Sequence, residues 1–437
     1  MIKNAIILTI LVVSIATACG SPPQATRTVS HSLSNDSLMQ TVKSMARETV
    51  KSGFQAGDGY AEVWIRDYNT FITLAAEMHP QDLIKENLRV FFRLQGDDGN
   101  IIDGFIPKKR AAQSKGGYTY IHTALEPDYA GHKNTVETDQ ETSLIQAVYK
   151  YIVKTGDQAF LLENIGNSTV SNRLENVMEF LLQKRYNDQY GLLWGATTAD
   201  WGDVQPEHPW GVYLTDSTHY ALDIYDNAMF IIALDNLMEL LPDRKEKWEP
   251  VRNQIAENCI KHLWDVKRQK FKPHIYLNGS PFPKNFDEDE VYYHGGTAVA
   301  IEAGLLSKHQ VKHALDRMIA NVNASGAATI GLTLYPTYPE GSFLNKDMHP
   351  YGYQNGGDWD WFGGRMIQQL IKYGFIDEAY QQLQPMLKRA VDNYGFYEWY
   401  TVDNKPRGSG TFRGSAGVLY DAIILFEEAI LPKTNKR

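Results

Sequence analysis

Two stretches of this chain set carboxylic acids among aromatic rings, where a carboxyl can be tuned to give or take a proton. In Trp194-Gly195-Ala196-Thr197-Thr198-Ala199-Asp200-Trp201-Gly202-Asp203-Val204, two acids lie three apart in a loop of small residues, flanked by two tryptophans. A carboxyl packed on an indole face is partly desolvated, which raises its pKa and keeps it protonated near neutrality, the state a general acid needs. Either Asp200 or Asp203 fits that part. In Tyr394-Gly395-Phe396-Tyr397-Glu398-Trp399-Tyr400, a single Glu sits among aromatics just before the last helix. Facing a cleft, Glu398 would deprotonate a water.

Three further stretches carry polar and aromatic residues at loop-to-helix junctions. In Glu62-Val63-Trp64-Ile65-Arg66-Asp67, the Arg-Asp pair is either a helix-opening ion pair or a clamp on hydroxyl groups, with Trp64 as a stacking face. The acids of Glu137-Thr138-Asp139-Gln140-Glu141 fit helix capping better than catalysis, because a helix dipole favours acids in its first turn. In Gly357-Asp358-Trp359-Asp360-Trp361-Phe362, Trp359, Asp360 and Trp361 are expected to form a second wall of the cleft. His208, His219, His294 and His349 are scattered and show no ligand spacing, so no catalytic metal is expected; no glycine-rich phosphate loop is present either, and no cofactor is expected.

These segments need a scaffold, and the chain offers helices. It has 437 residues, 43% hydrophobic and 22% charged, enough for a large core. The net charge is −9 and no basic run occurs, which disfavours a nucleic-acid partner. Apolar periodicity predicts twelve helices, at 36–51, 66–79, 80–95, 139–155, 168–186, 221–240, 244–265, 294–305, 307–322, 358–373, 376–392 and 413–430. Gly156 and Gly374 stop two of them. Short connections alternate with long, aromatic, glycine-rich ones at 96–138, 187–218, 266–293, 323–357 and 393–412, with short hairpins possible near Lys270 to Leu277. That pattern predicts an all-α fold, an (α/α)6 toroid of six helical hairpins with its long loops at one end. No βαβ pattern and no fixed-period repeat competes with it.

The amino-terminal residues 1–19 read as a leader: Lys3, a short apolar run, then Ser14-Ile15-Ala16-Thr17-Ala18-Cys19, similar to a bacterial lipobox. Cys19 is the expected lipidation site. Residues 20–36 read as a flexible tether and 37–437 as the catalytic domain, attached to the bacterial cell envelope (periplasm or outer membrane) through the lipid. Cys259, the other of two cysteines, is expected to be a small buried hydrophobe.

In motif order, residues 40–430 resemble the six-hairpin glycosidase superfamily of inverting (α/α)6 enzymes: glucoamylases, trehalases, processing and debranching α-glucosidases and neutral invertases. Trp64-Ile65-Arg66-Asp67 is similar to their early clamp, and Lys154-Thr155-Gly156-Asp157 to a helix-ending Thr-Gly-Asp. Ala199-Asp200-Trp201-Gly202-Asp203 falls where the general acid lies, and the Trp-X-acid spacing favours Asp203 over Asp200. Tyr353-Gln354-Asn355-Gly356-Gly357 is close to the Asn-Gly-Gly loop of the invertase-like members, and Tyr397-Glu398-Trp399-Tyr400 to the segment whose Glu is the base. Phe412-Arg413-Gly414-Ser415-Ala416-Gly417 occupies the place of the barrel-closing helix.

The resemblance implies hydrolysis of an O-glycosidic bond in an oligosaccharide or polysaccharide. An α-glucoside is the first expectation and a β-fructoside the second. The implied substrate contacts are Trp64, Arg66, Asp67, Trp201, Gln354, Asn355, Trp359, Asp360, Trp361 and Arg413. Other readings are an unsaturated uronyl hydrolase or sugar epimerase on the same barrel, or a non-catalytic glycan-binding lipoprotein. Activity is expected to survive chelation; a strict metal requirement in an assay with EDTA would count against this chemistry.

Overall fold

The computed structural model describes residues 36–113, 119–209 and 212–431. The leader 1–19, its Cys19 and the tether up to residue 35 lie outside the described residues. Among the described residues are twelve helices of nine residues or more: α1 Ser37–Lys51, α2 Ile65–Met78, α3 Gln81–Arg93, α4 Asp139–Thr155, α5 Val170–Lys184, α6 Ile224–Leu240, α7 Lys245–Asn258, α8 His294–Glu302, α9 Lys308–Ser325, α10 Asp360–Lys372, α11 Ile376–Asp392 and α12 Arg413–Ile430. The even-numbered helices pack each on the next, and α12 closes back on α2. This inner ring is enclosed by the odd-numbered helices. The expected toroid of six hairpins is what the chain forms.

Burial sorts the two rings. In α6 every residue from Ile224 to Leu234 is buried, and in α8 every residue from His294 to Ile301. Helices apolar on all sides belong inside a ring of other helices. The outer α3 instead buries one stripe, including Ile84, Leu88, Phe91 and Phe92, and turns Lys85, Arg89 and Arg93 to Asp157, Glu163 and Glu126 on neighbouring segments. Gly156 ends α4 and Gly326 ends α9, both left-handed at φ 75° and 79°. Ser307 and Gln310 form a reciprocal capping box on α9.

Two local expectations are corrected. The seventh helix ends at Asn258 and continues as a π-helical turn, Cys259–Leu263, and does not run on as α-helix to 265. The Lys270–Phe271 and Ile275–Tyr276 strands do not pair with each other as a hairpin; they pair with Trp264–Asp265 and Tyr220–Leu222. Cys259 is buried and free.

Because outer and inner helices alternate in direction, all six inner helices start at the same end, and the long loops arrive there. Arg389 of α11 fastens that end. Its guanidinium donates to Asp360 (2.6 and 3.0 Å) and Asp358 (2.9 Å), and lies 4.0 Å from the ring of Tyr400. Asp358 in turn pairs main chain to main chain with Tyr400 (2.9 and 2.8 Å), tying the segment that carries Glu398 to the start of α10. Replacing Arg389 by Met strands two buried carboxylates, and a loss of about 3–5 kcal/mol in denaturant-unfolding stability is expected; a variant as stable as the wild type would show that the acids find other partners.

Candidate active site

The inner-helix N-termini frame a cavity of about 880 Å³. Its walls come from the α1–α2 loop, the first turn of α2, an antiparallel three-stranded sheet, and the loops that precede α6, α10 and α12. The sheet is β1 Val63–Trp64, β2 Gly104–Pro107 and β3 Tyr129–His132. It delivers Trp64, Asp103 and His132 to one side.

Asp203 and Glu398, far apart in the chain, both line this cavity. Asp203 Oδ1 accepts from Gln354 Nε2 (2.8 Å), and the Asp203 N–H donates to Gln354 Oε1 (3.3 Å), so one carboxamide grips the acid on two sides. Glu398 is buried. Its Oε1 accepts from the Tyr60 hydroxyl (2.9 Å) and its Oε2 from the Ser409 N–H (2.8 Å). Burial pushes the Glu398 carboxyl up, and the negative charge of Asp203 adds to that, while Ser409, Tyr60 and Tyr353 act the other way by donating to the ionised form. Gly408 turns at φ 68°, and a Cβ there would sit 2.4 Å from Glu398 Oε2, so only glycine lets the loop close over the carboxylate.

Arg66 faces the cavity but is committed. It pairs with Glu137 and, through Nε at 2.5 Å, with Asp139, which also accepts from the Tyr225 hydroxyl (2.7 Å). Thus the acids at 137–141 do structural work: Glu137 and Asp139 hold Arg66, and Glu141 takes the Ile101 N–H (3.0 Å) and Lys133. Asp67 lies beside them, buried, with Oδ1 lacking a hydrogen-bond partner. Burial, and then the nearby carboxyls of Glu398, Asp103 and Asp203, push it up to about 8 against the pull of Arg66. At neutral pH Asp67 is therefore mostly a neutral carboxylic acid able to donate as well as accept.

The aromatic wall is continuous. Trp201 meets Trp359 edge-on (4.7 Å between ring centroids), Trp361 (5.6 Å) and Phe362 in a stack (4.4 Å), and Tyr353 meets Trp359 (5.4 Å). Trp64, Trp201, Trp359, Trp361 and Gln354 all line the cavity, as Arg66 and Asp67 do.

Four expected site residues point elsewhere. Asp200 takes a left-handed turn (φ 56°) that swings its carboxylate onto the start of α8, where it accepts from the Gly295 and Gly296 N–H groups at 2.7 Å each. A Cβ on Gly296 would come 2.8 Å from Asp200 Oδ1, so the glycines make room for this cap. Asp360 is consumed by Arg389. Asn355 braces a turn, accepting from the Tyr338 N–H (2.8 Å) and donating to the Tyr338 and Met348 carbonyls. Arg413 donates to the Gln55 carbonyl and the Ser52 hydroxyl, both at 2.6 Å.

Other cavity residues were missed. Tyr60, Asp103, His132, Tyr353 and Phe412 line it. Tyr353 and Phe412 stood inside noted motifs, and Tyr60 closes a glycine-rich turn, Gly57-Asp58-Gly59-Tyr60, that hinted at close approach. That turn is latched onto the Glu398 loop: the Asp58 N–H donates to Gly410 O (3.0 Å) and Gly59 N–H to Ser409 Oγ (2.8 Å).

Residues 35–360 match the family model described as the glycosyl hydrolase 94 superfamily, catalytic domain. Asp203 lies inside that span and Glu398 beyond it. The curated relative N,N'-diacetylchitobiose phosphorylase of Vibrio furnissii is 23% identical over 226 residues, which make up 49% of this chain and 26% of that protein. The chain thus matches well under two thirds of that relative's length. Among solved structures, a GH63 mannosylglycerate hydrolase from Thermus thermophilus, in complex with Tris and D-glycerate, superposes with a TM-score of 0.59 at 15% identity, covering 87% of this chain and 99% of that one. A rhamnosidase from Klebsiella oxytoca with rhamnose bound gives 0.57 at 14%, covering 88% of this chain and 63% of that one. At these identities the likeness is one of fold.

Two outcomes test the Glu398 pocket. Tyr60→Phe removes a donor to the ionised carboxylate, so the acidic limb of the kcat/KM–pH profile should move to higher pH; an unmoved limb would mean Tyr60 does not tune Glu398. Gly408→Ala should displace the carboxylate and lower kcat by at least tenfold, with the circular dichroism spectrum unchanged.

Proposed function

The chain belongs to the glycosyl hydrolase 94 superfamily, and on that footing we propose that it is a glycoside hydrolase cleaving an O-glycosidic bond with inversion, Asp203 as general acid and Glu398 as general base. The observation that carries this reading is the presence of both carboxyls on one aromatic-walled cavity, with Glu398 held by two donors that favour its ionised form. The Asp203 carboxyl gives its proton to the glycosidic oxygen as the bond from that oxygen to the anomeric carbon breaks. Glu398 takes a proton from a water whose oxygen bonds the anomeric carbon on the opposite face. Solvent then restores the two protonation states. Inversion asks for carboxyl groups about 6.5–9.5 Å apart, with the water between them. Neutral Asp67 and the Trp64, Trp201, Trp359 and Trp361 rings offer hydroxyl contacts and stacking to the sugar whose bond is cut.

Phosphorolysis is the second reading, because the Vibrio furnissii relative is a phosphorylase. Phosphate would attack unaided by a base and would need cations to hold it. Arg66 is the sole Lys or Arg on the wall among the described residues, and Glu137 and Asp139 already engage it. Glu398, ionised as the scheme requires, would repel a dianion. The same charge disfavours a uronate substrate.

An α-glucoside of an oligosaccharide is the substrate first proposed; the assay panel should add β-fructosides, rhamnosides, mannosylglycerate and diacetylchitobiose. We also propose lipid attachment at Cys19. Asp36, which caps α1 and accepts from Tyr380 of α11 (2.8 Å), sits at the barrel end opposite the cavity, so the cavity would open away from the membrane.

Asp203→Asn and Glu398→Gln should each lower kcat by about 10²–10⁴-fold, and sugar release should not depend on inorganic phosphate. Full activity in either variant, or release of a sugar 1-phosphate only when phosphate is supplied, would overturn the mechanism.

A further inference from the structure

Beyond the catalytic cavity the barrel axis opens again. A second cavity, of about 980 Å³, is lined by side chains from all six inner helices and shares no lining residue with the first. Its lining residues lie about one to three turns along the inner helices from their N-termini. Arg365 and Gln146, both of which donate to Met229 Sδ (3.7 and 3.6 Å), form the partition between the two.

The charges on this second wall cancel. Lys150, Arg365 and Lys372 face Asp235, Glu302 and Asp421. Arg365 is matched by Glu302 (2.9 and 3.0 Å), and Asp235 by Arg252 outside the cavity (2.9 and 3.1 Å). The remaining groups are underused. Lys150 Nζ donates to the Asn69 carbonyl (2.8 Å), Asn69 Oδ1 is buried without a partner, and Asp421 makes no hydrogen bond to a described residue. Burial brings Lys150 down to about 8 and Asp421 up to about 7, so near neutrality both act as hydrogen-bonding groups of mixed charge state. The carboxamides of Gln146, Asn236 and Gln368 and the ring of Tyr149 complete the lining.

A buried acceptor without a partner is costly, and this wall has one in Asn69 Oδ1, beside basic and acidic groups equal in number. An anion would meet three carboxyls there and a cation three basic groups. A neutral ligand bearing many hydroxyls, each able to donate and accept, suits it. We propose that this axial cavity is a second, non-catalytic binding site for a neutral monosaccharide. It requires no commitment between hydrolysis and phosphorolysis.

The two cavities can be counted separately, because the first is walled by four tryptophans and the second by none. Equilibrium dialysis of the full chain against labelled D-glucose, D-mannose, L-rhamnose and N-acetyl-D-glucosamine should give two equivalents bound for at least one of them. Tryptophan fluorescence should saturate with only one. Lys150→Met, or Gln368→Leu should the first not fold, should reduce the dialysis count to one and leave turnover within about twofold of wild type. One equivalent or none for all four sugars would overturn the proposal. So would a count of two that neither variant changes, or binding of inorganic phosphate that Lys150→Met abolishes while no sugar binds.

Discussion

Six helices that start at one end of a ring bring their unpaired N–H groups and the positive ends of their dipoles together, and that concentration calls for hydrogen-bond acceptors and acidic groups. The carboxyl groups are there: Asp200 on the first N–H groups of α8, Asp223 on the start of α6, Asp139 at the start of α4, the mostly neutral Asp67 in α2 and Asp360 in α10. Most are buried. Acids so placed would repel one another, so buried arginines are threaded between them, Arg66 against Glu137 and Asp139, Arg389 against Asp358 and Asp360. The cavity end of the barrel is first of all a charge-compensation problem.

Within that surplus, position decides role. Asp200 and Asp203 are three residues apart, yet one caps a helix and the other faces the cavity in the grip of Gln354. Glu398 differs from both in that its partners come from loops at the two ends of the chain, Tyr60 near the start of the domain and Ser409 just before α12. Bringing those loops together closes the ring, α12 against α2, and the same closure completes the pocket around Glu398.

The family match covers Asp203 and stops short of Glu398. A nucleophile that is itself an anion needs a cationic cradle, whereas water needs a base. The lining here is rich in carboxyls and holds one engaged guanidinium among the described residues. The proposed choice of water over phosphate rests on this electrostatic contrast rather than on overall likeness.

Helix periodicity, glycine stops and the alternation of short with long connections were enough to lay out twelve helices and the end at which the loops gather, because these features depend on neighbours within a few turns. The same local chemistry marked Asp203, Glu398, Trp64, Asp67 and the tryptophans at 201, 359 and 361, since acids and rings crowded into glycine-rich loops have few structural uses. Local pattern could not say that Asp200 turns away, that Asp360 answers to Arg389, that Asn355 and Arg413 brace loops, or that Tyr60 reaches Glu398. Those outcomes hang on a left-handed turn at Asp200 and on partners tens to hundreds of residues distant, which only closure of the ring brings within hydrogen-bonding range. The chain's own residues thus determined the scaffold and the stock of reactive groups, and the tertiary structure decided which of them face the cavity.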